Sequence, residues 1–600
     1  MSKGKFLPVL CTLWVSSVIW IAAIGYAAAD PVDPFDTILV SPKTLAKALA
    51  SPDLVVLDVR TSGYETSHIP GAVPLRWTDL AMPSRGLRPL KDIERQLGEK
   101  GLNRNQVFVV YDTAPTTPGA GGFVVWLLDY LGCSHVHLLD GGWRHWVASE
   151  QSVDSASGRL STSQFNARPN PAVRMGSDDV AATLDDPKHT LIDCRDDAAF
   201  NGWTVDGLAR GGHIPGAIQF PHTWLFNADG TRLDGKTLKT RLAEKGIAPG
   251  RQTIVYSSMG LESGYLYVAL KSLGYPSVSH YDGSLAAWSS DSRRPMQKMK
   301  NFEKLVDAAW VEQLIAGKHP ATYQGQRFVI LEVSYGDSPS PGSIPGAVSV
   351  NPCYFESEND TSKYYPHYDS PDDGNLLPDA RLHKAIANLG INEDTLVVVY
   401  GKGRIIPMTS CRVIWALMYA GVKDARLLNG GYTAWISHGG NAIDTPSAPS
   451  PVPRFNTSGR CAGRYLASNE YVEAVAAGEN TRSILVDVRE LKEYKGTYID
   501  KYIFFKKSGH IPKAVWQDEW ITLVDMHDDT LRNYEEVKGK WEKLGVTLNH
   551  EPIFYCGTGW RSSIGFFQAY LMGFEKMRNY DNSFYGWWWK SGRPVSNESP

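Results

Sequence analysis

One cysteine lies among residues whose types and spacing suit nucleophilic chemistry. Cys556-Gly557-Thr558-Gly559-Trp560-Arg561 follows a short apolar run, PIFY at 552–555, and precedes an apolar helical stretch, SSIGFFQAYLMGF at 562–574. The two glycines let the backbone curl with its N–H groups inward, and the helix N-terminus and Arg561 add positive potential. Such a nest holds a thiolate and an anionic substrate together, and the thiolate is the reactive form of cysteine. A loop between strand and helix is not a core position, so the expected role of Cys556 is chemical rather than packing.

The elements that must carry this loop occur four times. A short apolar run ending in an acid appears as LVVLDVR at 54–60, TLIDCR at 190–195, FVILEVS at 328–334 and SILVDVR at 483–489. An Ile-Pro element follows: SHIPGA at 67–72, GHIPGA at 212–217, GSIPGA at 342–347 and GHIPKA at 509–514. A second apolar run comes next (VFVVYD from 107, TIVYSS from 253, TLVVVYG from 395, PIFYCG from 552), and its copies recur about 150 residues apart. A turn closes each unit: DGGWRHW at 140–146, DGSLAAW at 282–288, NGGYTAW at 429–435 and DNSFYGW at 581–587. Such self-similarity marks repeated structural units. Continuous apolar runs are the pattern of strands buried on both faces. Strand, helix, strand in each unit predicts an α/β fold with a mostly parallel sheet flanked by helices. Stretches rich in Pro, Ser and Gly place four domains at about 35–150, 170–295, 303–440 and 460–600. Ligands of such sheets bind beyond the carboxyl ends of the strands. Each repeat has its loop there, but Asp112, Ser257 and Gly401 stand where the fourth has Cys556.

These residues carry a resemblance. The D-x-R, G-H-I-P-G-A and D-G-G-W elements, with a cysteine loop after the central strand, resemble the rhodanese (sulfurtransferase) family over nearly all of residues 35–600. The Cys-Gly-Thr-Gly-Trp-Arg loop is similar to that of exported multi-domain bacterial thiosulfate sulfurtransferases, and its first four residues to the mercaptopyruvate branch. The resemblance implies that Cys556 takes a sulfane sulfur from thiosulfate or 3-mercaptopyruvate, becomes a persulfide, and passes the sulfur to cyanide, a thiol or an acceptor protein. It implies one active unit, the fourth, beside three inactive ones, with the third lining the Cys556 cleft. Gly557, Thr558, Gly559, Trp560, Arg561 and Arg489 are the implied substrate-binding set. The family's thiosulfate-binding arginine, four residues beyond the D-x-R element, is Glu493 here, and the glycine of the Ile-Pro element is Lys513. Lys492, Lys506, Lys507 and Lys513 are candidates to replace the lost charge, or are solvated surface lysines.

Other residues have plainer readings. Arg489 pairs with a neighbouring carboxylate or contacts substrate. His510 recurs as His68 and His213 in units without the cysteine, which points to bracing a turn. Trp560 walls the site or packs on a neighbouring unit. The third unit has lost signals, with Glu332, Ser334 and Ser343 at the acid, arginine and histidine positions, and its insertion 356–374 reads as an exposed loop. No C-x-x-C and no Cys/His cluster is present, so neither metal nor cofactor is expected. An exported location permits a disulfide, and Cys353 with Cys411 is one possible pair.

Export is read from residues 1–29, where Lys3 and Lys5 precede an apolar stretch and Ala27-Ala28-Ala29. That is the pattern of a cleaved secretory signal, with an uncleaved anchor as the rival. The expected product is a periplasmic protein free of the membrane once cleaved, its oligomeric state left open with a monomer the simplest form. The 600 residues are 43% hydrophobic and 21% charged, which excludes disorder and fibrous classes. With 61 basic against 64 acidic residues, no nucleic-acid partner is expected. Two other functions share the site. One is a persulfide carrier without turnover. The other is a cysteine phosphatase or arsenate reductase, whose loop places arginine six residues after cysteine rather than the five found here.

Overall fold

A computed structural model describes residues 38–600 apart from 83–85, 114–119, 159, 185, 228, 336–341, 357–369, 371, 404–405, 456–462, 499–506 and 590–591. The signal segment and Lys506 lie outside the described residues, as does most of the 356–374 insertion. No helix among the described residues is long and apolar enough to cross a membrane.

The four apolar pairs form the centres of four separate sheets. In the fourth, Ser483–Asp487 lies parallel to Glu551–Tyr555, with Asp487 opposite Tyr555. Val515–Trp516 and Arg578–Asn579 flank this pair, both parallel. The other three sheets have five strands each, and every pairing in them is parallel. The antiparallel pairs are short hairpins outside these sheets.

One hydrogen-bonded frame holds every unit. The tyrosine ending the second run takes the backbone N–H of the Ile-Pro element: Ile69 on Tyr111, Ile214 on Tyr256, Ile344 on Tyr400 and Ile511 on Tyr555, at 3.1–3.3 Å. The arginine of D-x-R forks onto its own aspartate and reaches a carbonyl before the Ile-Pro element, Ser67, Gly212 or Gly509, at 2.7 Å each. The third unit keeps the frame with other residues. Glu332 accepts the Tyr400 hydroxyl at 2.6 Å, and Lys402 reaches the Gly342 carbonyl in place of arginine. The histidines stack on aromatic rings, His68 on Tyr64, His213 on Phe200 and His510 on Tyr494, within 4.1 Å. His510 is therefore a brace, as its recurrence suggested.

Helix packing pairs the units. Gly121–Tyr130 packs on Leu261–Ser272, and Ile406–Ala420 on Ser562–Met572. These helices are apolar on every side because each lies between its own sheet and a neighbour. At Gly122 and Gly264 the backbones cross so closely that a Cβ on either would fall within the other helix. Repeat two then packs on repeats three and four: Trp203 donates to the Leu305 carbonyl at 3.1 Å, and Asn533 to Gln219 at 2.7 Å.

Candidate active site

Cys556 sits one residue past the strand Glu551–Tyr555, at the carboxyl edge of the sheet. Its Sγ accepts the Gly559 N–H at 3.1 Å and faces the Ser562 hydroxyl at 3.7 Å. Gly559 has φ +85°, a conformation that side chains disfavour, and this turns its N–H back onto the sulfur. The Cys556 N–H donates to Ser583 Oγ at 3.1 Å, and its carbonyl accepts from Phe584. The loop is thus sewn to the closing turn of its own unit. The sequence placed Cys556 outside the core, yet it is only 1% exposed. The core of the paired helices closes around it.

Two other loop side chains, Arg561 and Trp560, have fixed partners. Arg561 forks onto Glu493 at 2.7 and 2.9 Å. Glu493 also accepts the Glu490 N–H, so the side chain at the family's arginine position neutralises the loop's own arginine. Trp560 donates to Glu356 at 2.6 Å and meets Tyr335 edge-on at 5.0 Å; both partners belong to the third unit. The third unit does line this site. Thr558 is buried at the loop's centre.

Arg489 is held differently from the expected substrate-binding set. Its Nε and one Nη bind Asp487, that Nη also reaches the Gly509 carbonyl, and its guanidinium stacks 4.2 Å above Phe584. Arg60 and Arg195 do the same in units without the cysteine. The arginine is part of the frame common to the units, and its position beside the loop follows from that. Lys492, Lys507 and Lys513 are exposed, and Lys513 Nζ caps the Ala477 carbonyl at 2.8 Å. They are surface lysines. Cys353 and Cys411 are both free and buried, not paired.

Two residues of the site had gone unnoticed. Glu356 opens the insertion read as an exposed loop, but is buried. Its Oε1 accepts Trp560 Nε1 and, at 3.0 Å, Arg412 Nε. Arg412 also bonds Asp581 at 2.6 Å and reaches toward the Gly559 carbonyl at 3.5 Å. Burial pushes the Glu356 carboxyl up to about 7, against the pull of Arg412. A lone arginine inside SCRVIWALMYA was the available signal, because a buried charge demands a partner.

A family model described as the rhodanese-like domain matches residues 41–149, 177–291, 307–438 and 468–589. The chain belongs to the rhodanese family. Within it, the chain is 27% identical to the Escherichia coli (strain K12) thiosulfate sulfurtransferase YnjE, over 68% of this chain and 88% of that one. It is 31% identical to a Pseudomonas aeruginosa thiosulfate sulfurtransferase, over 43% of this chain and 97% of that one. Among solved structures, the anaerobic ergothioneine biosynthesis enzyme of Chlorobium limicola, in complex with trimethyl histidine, superposes with a TM-score of 0.64 at 28% identity. It covers 71% of this rhodanese chain, which spans 98% of it. A structure of EanB as a cysteine persulfide with ergothioneine matches at the same TM-score and identity. Sulfur transfer is the chemistry these relatives share.

Proposed function

We propose that this rhodanese moves sulfur through a persulfide on Cys556. The Cys556 thiolate attacks the outer sulfur of thiosulfate, the S–S bond to the sulfonate sulfur breaks, and sulfite leaves with the electron pair. From 3-mercaptopyruvate the C–S bond breaks instead, and pyruvate leaves as its enolate, whose carbon takes the proton of the thiol. Cyanide or a thiolate then takes the terminal sulfur, giving thiocyanate or a new persulfide and restoring the Cys556 thiolate. The observation that carries this reading is the Gly559 N–H aimed at Cys556 Sγ at 3.1 Å, at the strand edge where ligands of parallel sheets bind. That N–H stabilises negative charge on the sulfur before and after transfer. Gly557, Thr558 and Trp560 shape the loop. Arg561 faces the donor, with its charge reduced by Glu493.

A second reading of the acceptor is an organic ring such as the trimethyl histidine of the solved relative. The Glu493–Arg561 pair favours it, because it leaves less positive charge to gather a small anion. The same pairing speaks against a phosphatase-like site, which needs its loop arginine free for a tetrahedral oxyanion. Export from residues 1–29, and an acceptor protein docked on the Cys-less units, belong to the same proposal.

The test is the intact mass of the protein after mixing with thiosulfate or 3-mercaptopyruvate, with Cys556→Ser beside it. The expected result is a gain of one sulfur atom's mass, removed by cyanide or by trimethyl histidine and absent from the variant. Loading of the variant, or no loading of the wild type by either donor, overturns the proposal.

A further inference from the structure

The Gly559–Trp560 peptide, next to the one whose N–H points at Cys556, is approached from another unit by Arg412. Gly559 donates through nitrogen to Cys556 Sγ, while its carbonyl takes Asn579 Nδ2 at 3.0 Å and faces Arg412 Nη1 at 3.5 Å. The next residue, Trp560, is fixed by Glu356 at 2.6 Å. Glu356 and Arg412 bond each other at 3.0 Å, and Arg412 also ties Gly374 and Asp581. Arg412 is 1% and Glu356 4% exposed, so water does not compete for these bonds. In the second unit the arginine bonded to the closing aspartate, Asp282, is Arg174 of the same unit, and among the described residues the first unit reaches Asp282 through the Leu87 N–H.

We propose that Glu356 and Arg412, from the unit without a cysteine, are positioning residues that keep the Gly559 N–H on the Cys556 sulfur. The inference rests on Cys556 being the reacting atom. It explains what the third unit contributes: Glu356 pulls Trp560 and Arg412 holds the peptide beside it, so loop geometry is set across the interface. Charged acceptors and donors make the stronger hydrogen bonds. The ionisable groups facing Glu356 include Arg412 on its helix, Asp581 in the closing turn, and Cys353, whose thiol burial and Glu356 together hold far above its ordinary range. With its carboxyl pushed up to about 7, Glu356 loses charge as pH falls through neutrality, and the hold on Trp560 weakens.

The test uses the full chain with Glu356→Ala, Glu356→Gln and Arg412→Lys. Three quantities are measured: the rate of Cys556 alkylation by iodoacetamide against pH, the rate of sulfur loading from thiosulfate, and the melting temperature. Glu356→Ala is expected to slow alkylation and loading about tenfold, the scale of a donor moved slightly out of line. Glu356→Gln keeps the accepting oxygen, recovers most of the rate and loses the rise through pH 7. Arg412→Lys keeps the charge but not the fork, and falls between them. Should the alanine variant fail to fold, the other two decide the matter. Unchanged rates overturn the inference. So does a loss of melting temperature in the variants with an unaltered pH profile, because that is a merely structural role. Alkylation needs no sulfur donor. If it responds to Glu356 while the wild type takes up no sulfur, the proposed function falls and the positioning role stands.

Discussion

In the second unit the Gly260 N–H donates to Ser257 Oγ at 3.0 Å; in the fourth the Gly559 N–H donates to Cys556 Sγ at 3.1 Å. The nucleophile position's own N–H goes to Ser284 Oγ at 3.3 Å in one and Ser583 Oγ at 3.1 Å in the other. The glycine carbonyl meets His280 in one and Asn579 in the other, both at 3.0 Å. Even the cover matches: Leu87 of the first unit and Leu376 of the third each donate a backbone N–H to the closing aspartate, Asp282 or Asp581. The nest is therefore built in the second unit, without the nucleophile, as it is in the fourth, with it. What differs is chemistry and charge. Serine replaces cysteine, and Glu262, whose Oε2 is buried without a hydrogen-bond partner, replaces Arg561. The nest geometry alone does not distinguish the two units.

The sharpest way to break that comparison is to arm the silent loop. Ser257→Cys, in a Cys556→Ser background, is expected to stay unloaded by thiosulfate under conditions that load the wild type completely, by intact mass. Glu262 stands where the fourth loop has Arg561, and its carboxylate repels a dianionic donor. Loading at the wild-type rate would mean that nest geometry alone makes the site. A smaller effect sharpens the charge side of the comparison. Glu493→Gln removes the anion that occupies Arg561 and keeps a hydrogen-bonding side chain of the same shape. Freed, Arg561 offers its fork to the donor, and the KM for thiosulfate is expected to fall about tenfold with little change in kcat. An unchanged KM would show that Arg561 does not meet the donor at all.

The architecture was legible because its signals are local. Each strand is one apolar run, each helix one apolar stretch, and the Cys556 loop is contiguous. What stayed hidden depends on contacts distant in sequence. Glu356 sits in an acidic insertion and reads as solvated; it is buried against Arg412 and against Trp560, the latter two hundred residues on. Arg489 beside the loop suggested substrate. Yet Arg60 and Arg195 recur in units without a nucleophile, and that comparison of repeats already contained the frame role the structure gives it. Likewise the third unit looked degraded because Glu332 and Lys402 do not spell D-x-R, though together they rebuild its bonds from two strands.

Lys513 tests how far the frame tolerates such departures. It stands in the left-handed region at φ +64°, where the other units have Gly71, Gly216 and Gly346 at +76° to +81°. A side chain there costs about 1–2 kcal/mol. Glycine gives back roughly 0.5–1 kcal/mol through the greater freedom of the unfolded chain. The bond from Lys513 Nζ to the Ala477 carbonyl is exposed and contributes little. Lys513→Gly is therefore expected to stabilise the fourth unit by up to about 1 kcal/mol, read as a raised denaturant midpoint by tryptophan fluorescence. Sulfur loading from thiosulfate should be untouched, because the lysine points to a helix end and not to Cys556. A loss of loading with the midpoint raised would make Lys513 the replacement for the missing donor-binding arginine, and would move the charge that distinguishes the fourth loop from the second out of the loop itself.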